Sequence, residues 1–312
     1  MTQPTDGSGR SVTVVATHGD LAAAAAASSP ASPTPGAQAA TARAAVVRAL
    51  ESCDVALAAW EAGSAAFGRA DATSDLDVGV FARGGAEAGA TVLDAIEDEL
   101  RALTDIDLWD VGASMFGVQR FWQPARPGAD APFCLVDVSV MDPDADADTA
   151  RELLTVERHG RALTMYDPEG LLARTVADAT FDAAAHRARL STELDRIRER
   201  RTLFAGFGAK ELDRGRPLDA HWVHHAFVVL PLVALLGMVH RPLRFDFGLR
   251  YLHAELPADV VECLEPIVEP GREGLRAAIE QGIGWIDALL EAIDPDELPI
   301  EEHSAQMRAA FG

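Results

Sequence analysis

The sequence predicts two domains. The first combines helices with a mixed β-sheet, an α/β (α+β) fold, and the second is α-helical. Apolar segments of strand length alternate with helical segments between residues 41 and 172. From residue 173 to 312 the apolar residues recur at helical spacing, as Leu190 and Leu194 do. Residues 1–40 are rich in Gly, Ser, Thr, Pro and Ala, and are therefore predicted to form a disordered low-complexity tail.

The elements of the first domain are predicted from apolar periodicity. In chain order they are a helix, a strand, a short helix, a strand, a helix and three further strands. Their predicted ranges are Thr41–Leu50, Val55–Trp60, a short helix opening near Ser64, Asp75–Phe81, Ala90–Leu103, Ile106–Val111, Phe133–Met141 and Arg161–Asp167. The acidic run DPDADAD after Met141 is expected to be a solvated surface loop.

The charge of the chain narrows the classes of partner. The 312 residues carry 49 acidic and 27 basic side chains, a formal net charge of −22. A surface this negative disfavours nucleic acid and anionic membranes as partners. Cationic small molecules would be attracted, and a nucleoside triphosphate could approach once a divalent metal screens its charge.

Several features predict a cytoplasmic protein without a membrane partner. The three cysteines are widely separated and show no paired spacing, so reduced thiols are expected. The first residues lack the basic flank and the hydrophobic core of a signal peptide. The apolar stretch Ala226–Val239 is shorter than the roughly 20 residues that a membrane helix needs, and it is interpreted as a buried helix. The oligomeric state is left open.

The segment from Gly63 to Asp77 reads GSAAFGRADATSDLD and carries the strongest chemical signal. Gly63 permits close approach of the backbone, and Ser64 can open a helix and donate its hydroxyl to a phosphate oxygen. Residues two apart in a strand share a face, so Asp75 and Asp77 are expected to point the same way. Paired carboxylates suit magnesium, which takes oxygen ligands and is often completed by substrate phosphates.

A third carboxylate is expected on a neighbouring strand, because three can hold two metal ions. Asp137 lies in the apolar run LVDVSV, where an unpaired carboxylate would be costly. We therefore predict Asp137 as the third ligand. Asp107, which shares a predicted strand face with Asp105, is the alternative, and Asp142 is a weaker one.

The Gly-Ser pair followed at fixed spacing by Asp-x-Asp resembles the signature of the polymerase-beta-like nucleotidyltransferases. The segment is most similar to the minimal, aminoglycoside and lincosamide nucleotidyltransferases. Their small residue, Gly and Ser have counterparts in Ala66, Gly68 and Ser74. The similarity is specific over roughly 20 residues and general over residues 41–172.

The resemblance implies roles for five of these residues. Gly63 and Ser64 would contact the triphosphate, while Asp75, Asp77 and Asp137 would be catalytic and hold two Mg²⁺ ions. Asp137 would also act on the acceptor hydroxyl. The active site would lie between the two domains.

Four further positions bear on nucleotide binding. The resemblance places Ser74 in the nucleotide site and assigns Lys210, from the helical domain, a contact with phosphates. Phe67 stands where the family commonly has Arg. Arg69, two positions on, is an alternative source of that positive charge.

The implied reaction transfers a nucleoside monophosphate, with AMP from ATP as the expected case, to a hydroxyl of a small-molecule acceptor and releases pyrophosphate. Two other functions stay open. One is nucleotidylation of a protein, as by antitoxin-type enzymes of this superfamily. The other is a catalytically silent nucleotide-binding regulatory protein, which the loss of Arg at Phe67 would suit.

Overall fold

The structure is a computed structural model that describes residues 36–114, 116–128, 130–204 and 206–312. Most of the predicted tail lies outside these residues. The described chain forms two compact units, one of residues 36–181 with 305–312 and one of residues 182–304. The units divide between residues 181 and 182, beyond the predicted boundary at residues 172 and 173.

The first unit contains a six-stranded sheet with helices packed on it. In chain order its elements are α1 (Ala37–Glu51), β1 (Ala56–Glu61), α2 (Gly63–Ala66), β2 (Leu76–Ala82), α3 (Gly85–Arg101), β3 (Ile106–Ser114), β4 (Gly117–Pro124), β5 (Val136–Met141), α4 (Ala147–Leu153), α5 (Val156–His159), β6 (Leu163–Tyr166) and α6 (Leu171–Asp178). Helix α1 begins at Ala37, so the last residues of the predicted tail are helical. Helix α4 begins within the acidic run that was expected to be a loop.

The sheet is mixed, as predicted. Its strand order is β3-β4-β5-β2-β1-β6. Strands β2 and β5 are parallel, and the other neighbouring pairs are antiparallel. Strand β4 was not predicted, because polar residues at Gln119, Arg120 and Gln123 interrupt its apolar alternation. In the structure the Arg120 guanidinium bonds to the carboxylates of Asp94, Glu97 and Asp110, which allows it to lie in the strand.

The two faces of the sheet pack against different helices. On one face, Leu76, Val78 and Val80 of β2 join the core made with α1 and α3. On the other face, Phe81 of β2 packs with residues of α4 and α6. Because side chains alternate along a strand, Asp77 and Phe81 lie on the same face, so this second face has a polar half and an apolar half.

The second unit is helical. Its elements are α7 (Ala183–Phe204), α8 (Phe207–Asp213), α9 (Pro217–His224), a π-helical turn (His225–Val229), α10 (Leu230–His240), a 3₁₀ turn (Pro242–Arg244), α11 (Leu252–Glu255), α12 (Ala258–Val268) and α13 (Gly271–Ala292). Helix α14 (Ile300–Phe311) begins in this unit and ends in the first one.

The longest apolar helix corrects one expectation from the sequence. The stretch Ala226–Val239 was judged too short to cross a membrane, but it belongs to a continuous helical segment of 24 residues, Pro217–His240. This segment is long and apolar enough to span a bilayer by length and composition, and 61% of its most apolar window is buried inside the protein. Such burial is also what the core helix of a soluble protein shows.

Candidate functional site

Two of the predicted carboxylates lie side by side at the centre of the sheet. Asp77 of β2 and Asp137 of β5 are direct partners in the parallel ladder. Both are partly buried, while their strand neighbours Leu76, Val136 and Val138 point into the core on the other face. Adjacent strands are about 4.8 Å apart, so the two carboxylates leave a common face at a separation that one ligand can bridge.

The Gly-Ser pair is held directly against Asp77. A Cβ atom on Gly63 would lie 1.6 Å from one carboxylate oxygen of Asp77 and 2.6 Å from its Cγ. Gly63 also has a φ of +59°, which favours glycine. The Ala62 N–H donates to the Asp77 carbonyl oxygen at 2.9 Å. Only glycine therefore lets the chain turn into α2 and keeps the carboxylate in its place.

Gln119 is a site residue that the sequence did not reveal. Its amide nitrogen donates to both carboxylate oxygens of Asp137, at 2.8 and 3.2 Å. It lies on β4, beside β5, and a residue on an unpredicted strand cannot be assigned a neighbour from the sequence alone. The contact sets the orientation of the Asp137 carboxylate.

The remaining predicted metal ligand, Asp75, is placed differently. Asp75 precedes β2 and is exposed. Among the described residues, no group of three or more His, Cys, Asp or Glu side chains is close enough to hold a metal ion. The structure therefore brings Asp77 and Asp137 together and does not gather Asp75 with them.

The sheet order bears on the alternatives for the third carboxylate. Asp107 lies on β3, which β4 and β5 separate from β2. Asp142 follows β5 and accepts the backbone N–H groups of Gly84 and Gly85 at 2.9 and 3.1 Å. These bonds, with others from its own turn, lower the Asp142 pKa to about 2. Asp137 is thus the one of the three that faces Asp77.

Negative charge dominates the surroundings of Asp77. Burial raises the pKa of the Cys134 thiol to about 11, and the charges of Asp75, Glu61 and Asp77 add to the rise. The thiol is therefore protonated at neutral pH. Burial also raises the pKa of Glu61, which forms an ion pair with Arg43 of α1.

The loop between α2 and β2 is closed by its own polar side chains. The Asp71 N–H donates to the Ser74 hydroxyl at 2.8 Å, and the Thr73 N–H donates to the Asp71 carboxylate at 2.8 Å. These bonds hold the chain that leads into Asp75 and Asp77. Ser74, which was predicted to bind the nucleotide, takes part in closing this loop.

Arg69 and Phe67 contact each other. The Arg69 guanidinium lies over the Phe67 ring, 5.2 Å from its centre. The buried Phe67 ring meets Phe311 edge-on at 5.7 Å. The Arg69 N–H donates to the Ser64 carbonyl at 2.9 Å. Phe67 thus has a packing role, and Arg69 lies beside the Gly-Ser turn.

Lys210 belongs to the helical unit. It is exposed on α8, with its ammonium group 5.2 Å from the centre of the Phe207 ring. Trp222 of α9 is 66% exposed, whereas Trp285 of α13 is buried.

The chain was compared with models of protein families and with curated proteins, and neither comparison found a match. The family resemblance therefore rests on the sequence motif. Asp77 and Asp137 are the residues that could hold a magnesium ion, because magnesium needs only one or two carboxylates when waters and substrate phosphates complete its shell.

Proposed function

We propose that this chain is a metal-dependent nucleotidyltransferase of the polymerase-beta-like superfamily. It would transfer a nucleoside monophosphate, AMP from ATP as the expected case, to a hydroxyl of a small-molecule acceptor. The observation that carries the proposal is the in-register pairing of Asp77 with Asp137, with Gly63 of the Gly-Ser turn fitted against the Asp77 carboxylate.

The side chains at this site support a division of roles. Asp77 and Asp137 would hold the metal, with Asp75 available at the end of the loop. Bound magnesium would neutralise phosphate charge and favour departure of pyrophosphate. Asp137 is oriented by Gln119 and would accept the proton of the acceptor hydroxyl.

The reaction is an in-line displacement. The acceptor oxygen forms a bond to the α-phosphorus, and the bond from that phosphorus to the bridging oxygen of the β-phosphate breaks. The pyrophosphate leaves with the electron pair. Gly63, Ser64 and Arg69 belong to the turn beside Asp77 and would contact the phosphates. Lys210 and Ser74 are proposed as further nucleotide contacts.

The net charge of −22 favours a cationic acceptor over a nucleic acid or an anionic membrane. The structure describes all three cysteines and joins none of them in a disulfide bond, which would suit a cytoplasmic enzyme.

The test is release of pyrophosphate from each of four nucleoside triphosphates with Mg²⁺ and a pool of hydroxylated acceptors. Wild type is compared with Asp77→Ala and with Asp107→Ala, which removes an exposed carboxylate from the outermost strand. We expect release that Asp77→Ala abolishes and Asp107→Ala preserves. Metal-dependent nucleotide binding without release would instead favour a regulatory protein, and equal release by wild type and Asp77→Ala would refute the assignment.

A further inference from the structure

Strand β3 forms an edge of the sheet that pairs with no further strand in the described part of the chain. It is outermost in the strand order, and its ladder there is the one with β4. Its 9 residues, Ile106–Ser114, make it the longest strand of this sheet. An unpaired edge presents a row of backbone N–H and C=O groups and is a template for a further strand.

The direction of these backbone groups follows from the ladder with β4. The Ala125 N–H donates to the Asp105 carbonyl oxygen at 2.9 Å, so Asp105 directs its backbone groups toward β4. These groups alternate in direction along an antiparallel strand, and those that point to the open edge therefore belong to Ile106, Leu108 and Asp110. Pro124, the ladder partner of Ile106, has no N–H to donate, which agrees with this assignment.

Apolar side chains are exposed on both faces of this edge. Leu108 is 45% exposed and Trp109 is 66% exposed. As neighbours in a strand they leave on opposite faces. The Trp109 ring is stacked on that of Phe121, with centres 5.4 Å apart, so it is held in place before any partner arrives. A strand added at this edge would bury apolar surface on each face.

The charges along the edge indicate what kind of strand it accepts. Asp105, Asp107 and Asp110 are all exposed. Asp110 is bonded to Arg120 at 2.9 Å, whereas Asp105 and Asp107 contact no cationic side chain among the described residues. A second copy of β3 would bring its own carboxylates close to these, and like charges across a strand pair are destabilising. The edge therefore favours a basic strand over a second copy of itself.

We propose that β3 is a docking edge for an extended segment of a partner protein in which basic residues alternate with apolar ones. The segment pairs antiparallel with the edge from Ile106 to Asp110. Its residue opposite Leu108 shares the face of Leu108, so the apolar residues occupy that face. The basic residues then occupy the other face, where the Asp107 carboxylate and the Trp109 indole both attract cations. Backbone hydrogen bonds supply affinity, and the side chains supply specificity.

The probe is a capped heptapeptide of alternating arginine and valine, and its binding to the full chain is measured by fluorescence anisotropy. We expect it to bind at least about tenfold more tightly than the same peptide with glutamate for arginine. N-methylation separates strand pairing from general attraction to an acidic protein. The valines lie opposite Leu108, so their N–H groups face β3. Methylation of the valine nitrogens should abolish binding, and methylation of the arginine nitrogens should preserve it.

Two variants of the chain test the same edge. Asp107→Lys should weaken binding of the arginine–valine peptide about tenfold, because an attraction is replaced by a repulsion. Asp98→Lys is the matched control, since Asp98 is an exposed carboxylate on α3 and its replacement changes the net charge equally. It should leave binding unchanged. Leu108→Pro removes an outward N–H and should abolish binding, and proline is tolerated on edge strands. The midpoint of thermal unfolding shows whether each variant is folded.

Several results would overturn the docking edge. They are no binding of the arginine–valine peptide by wild type, equal binding of the glutamate peptide, or equal binding of the two methylated peptides. Equal weakening by Asp107→Lys and Asp98→Lys would also overturn it. Analytical ultracentrifugation tests the other occupant: a wild-type dimer that Leu108→Pro dissociates would assign the edge to a second copy of the chain and contradict the proposal.

Discussion

Gly63→Ala is the substitution for which the structure predicts the sharpest effect. The new Cβ would lie 1.6 Å from an Asp77 carboxylate oxygen and 2.6 Å from Cγ, so the carboxylate has to rotate away. Rotation takes it from the position in which it faces Asp137. The substitution thus tests whether the Gly-Ser turn and the carboxylate pair form one site.

The expected loss of stability in Gly63→Ala has two parts. An L-residue at a φ of +59° costs about 1–2 kcal/mol. Forcing the Asp77 side chain from its rotamer adds about 1 kcal/mol. Gly85→Ala is the control, since Gly85 has a φ of +65° and a Cβ added there would meet nothing within 4 Å, so only the first part applies.

Chemical unfolding measures the stability of both variants, and calorimetry measures their affinity for ATP with Mg²⁺. We expect Gly63→Ala to be about 1 kcal/mol less stable than Gly85→Ala and to bind the nucleotide about 10–100-fold more weakly than wild type, as for a displaced metal ligand. Gly85→Ala should bind like wild type. Equal nucleotide binding by all three proteins would refute the reasoning.

Three further predictions concern particular side chains. Burial lowers the pKa of His240 to about 4 from 6.5. Because the unfolded chain takes up the proton first, the free energy of unfolding falls as the pH drops from 6.5 to 4, by about 3 kcal/mol in all. His240→Leu should flatten this part of the curve of unfolding free energy against pH, and an unchanged curve would contradict the assignment. Asp142→Ala should cost about 1–2 kcal/mol of unfolding free energy, because Asp142 accepts several backbone N–H groups. The control Asp144→Ala removes only an exposed ion pair and should cost less than about 0.5 kcal/mol. Equal losses of unfolding free energy in the two variants would be inconsistent with this account. Gln119→Leu should lower the rate of pyrophosphate release about tenfold, because it frees the Asp137 carboxylate to rotate, and a wild-type rate would exclude that role.

The strands that carry Asp77 and Asp137 could be predicted because valines alternate with polar residues on both. Helices α1 and α3 were predicted from their apolar spacing, although their ends differ from those observed. The mixed sheet was expected from the alternation of strands and helices. The direct pairing of Asp77 with Asp137 was not predictable, because the register of two distant strands depends on packing that a local pattern does not contain.

Other features depended on tertiary contacts. Strand β4 is stabilised by the bonds from Arg120 to carboxylates of α3 and β3, so neither β4 nor the contact of Gln119 with Asp137 was visible in the sequence. The apolar helix continues through a π-helical turn at His225–Val229 and past Pro231. It is therefore longer than the apolar stretch Ala226–Val239 from which it was predicted.

The central claim is that Asp77 and Asp137 hold a divalent cation together, and binding of Mn²⁺ tests it most directly. Electron paramagnetic resonance counts the bound ions in the presence of a non-hydrolysable ATP analogue for wild type, Asp77→Asn, Asp137→Asn and the control Asp107→Asn. The account predicts tight Mn²⁺ binding in wild type and in Asp107→Asn, and its loss in the other two variants. Wild-type binding in both Asp77→Asn and Asp137→Asn would contradict it.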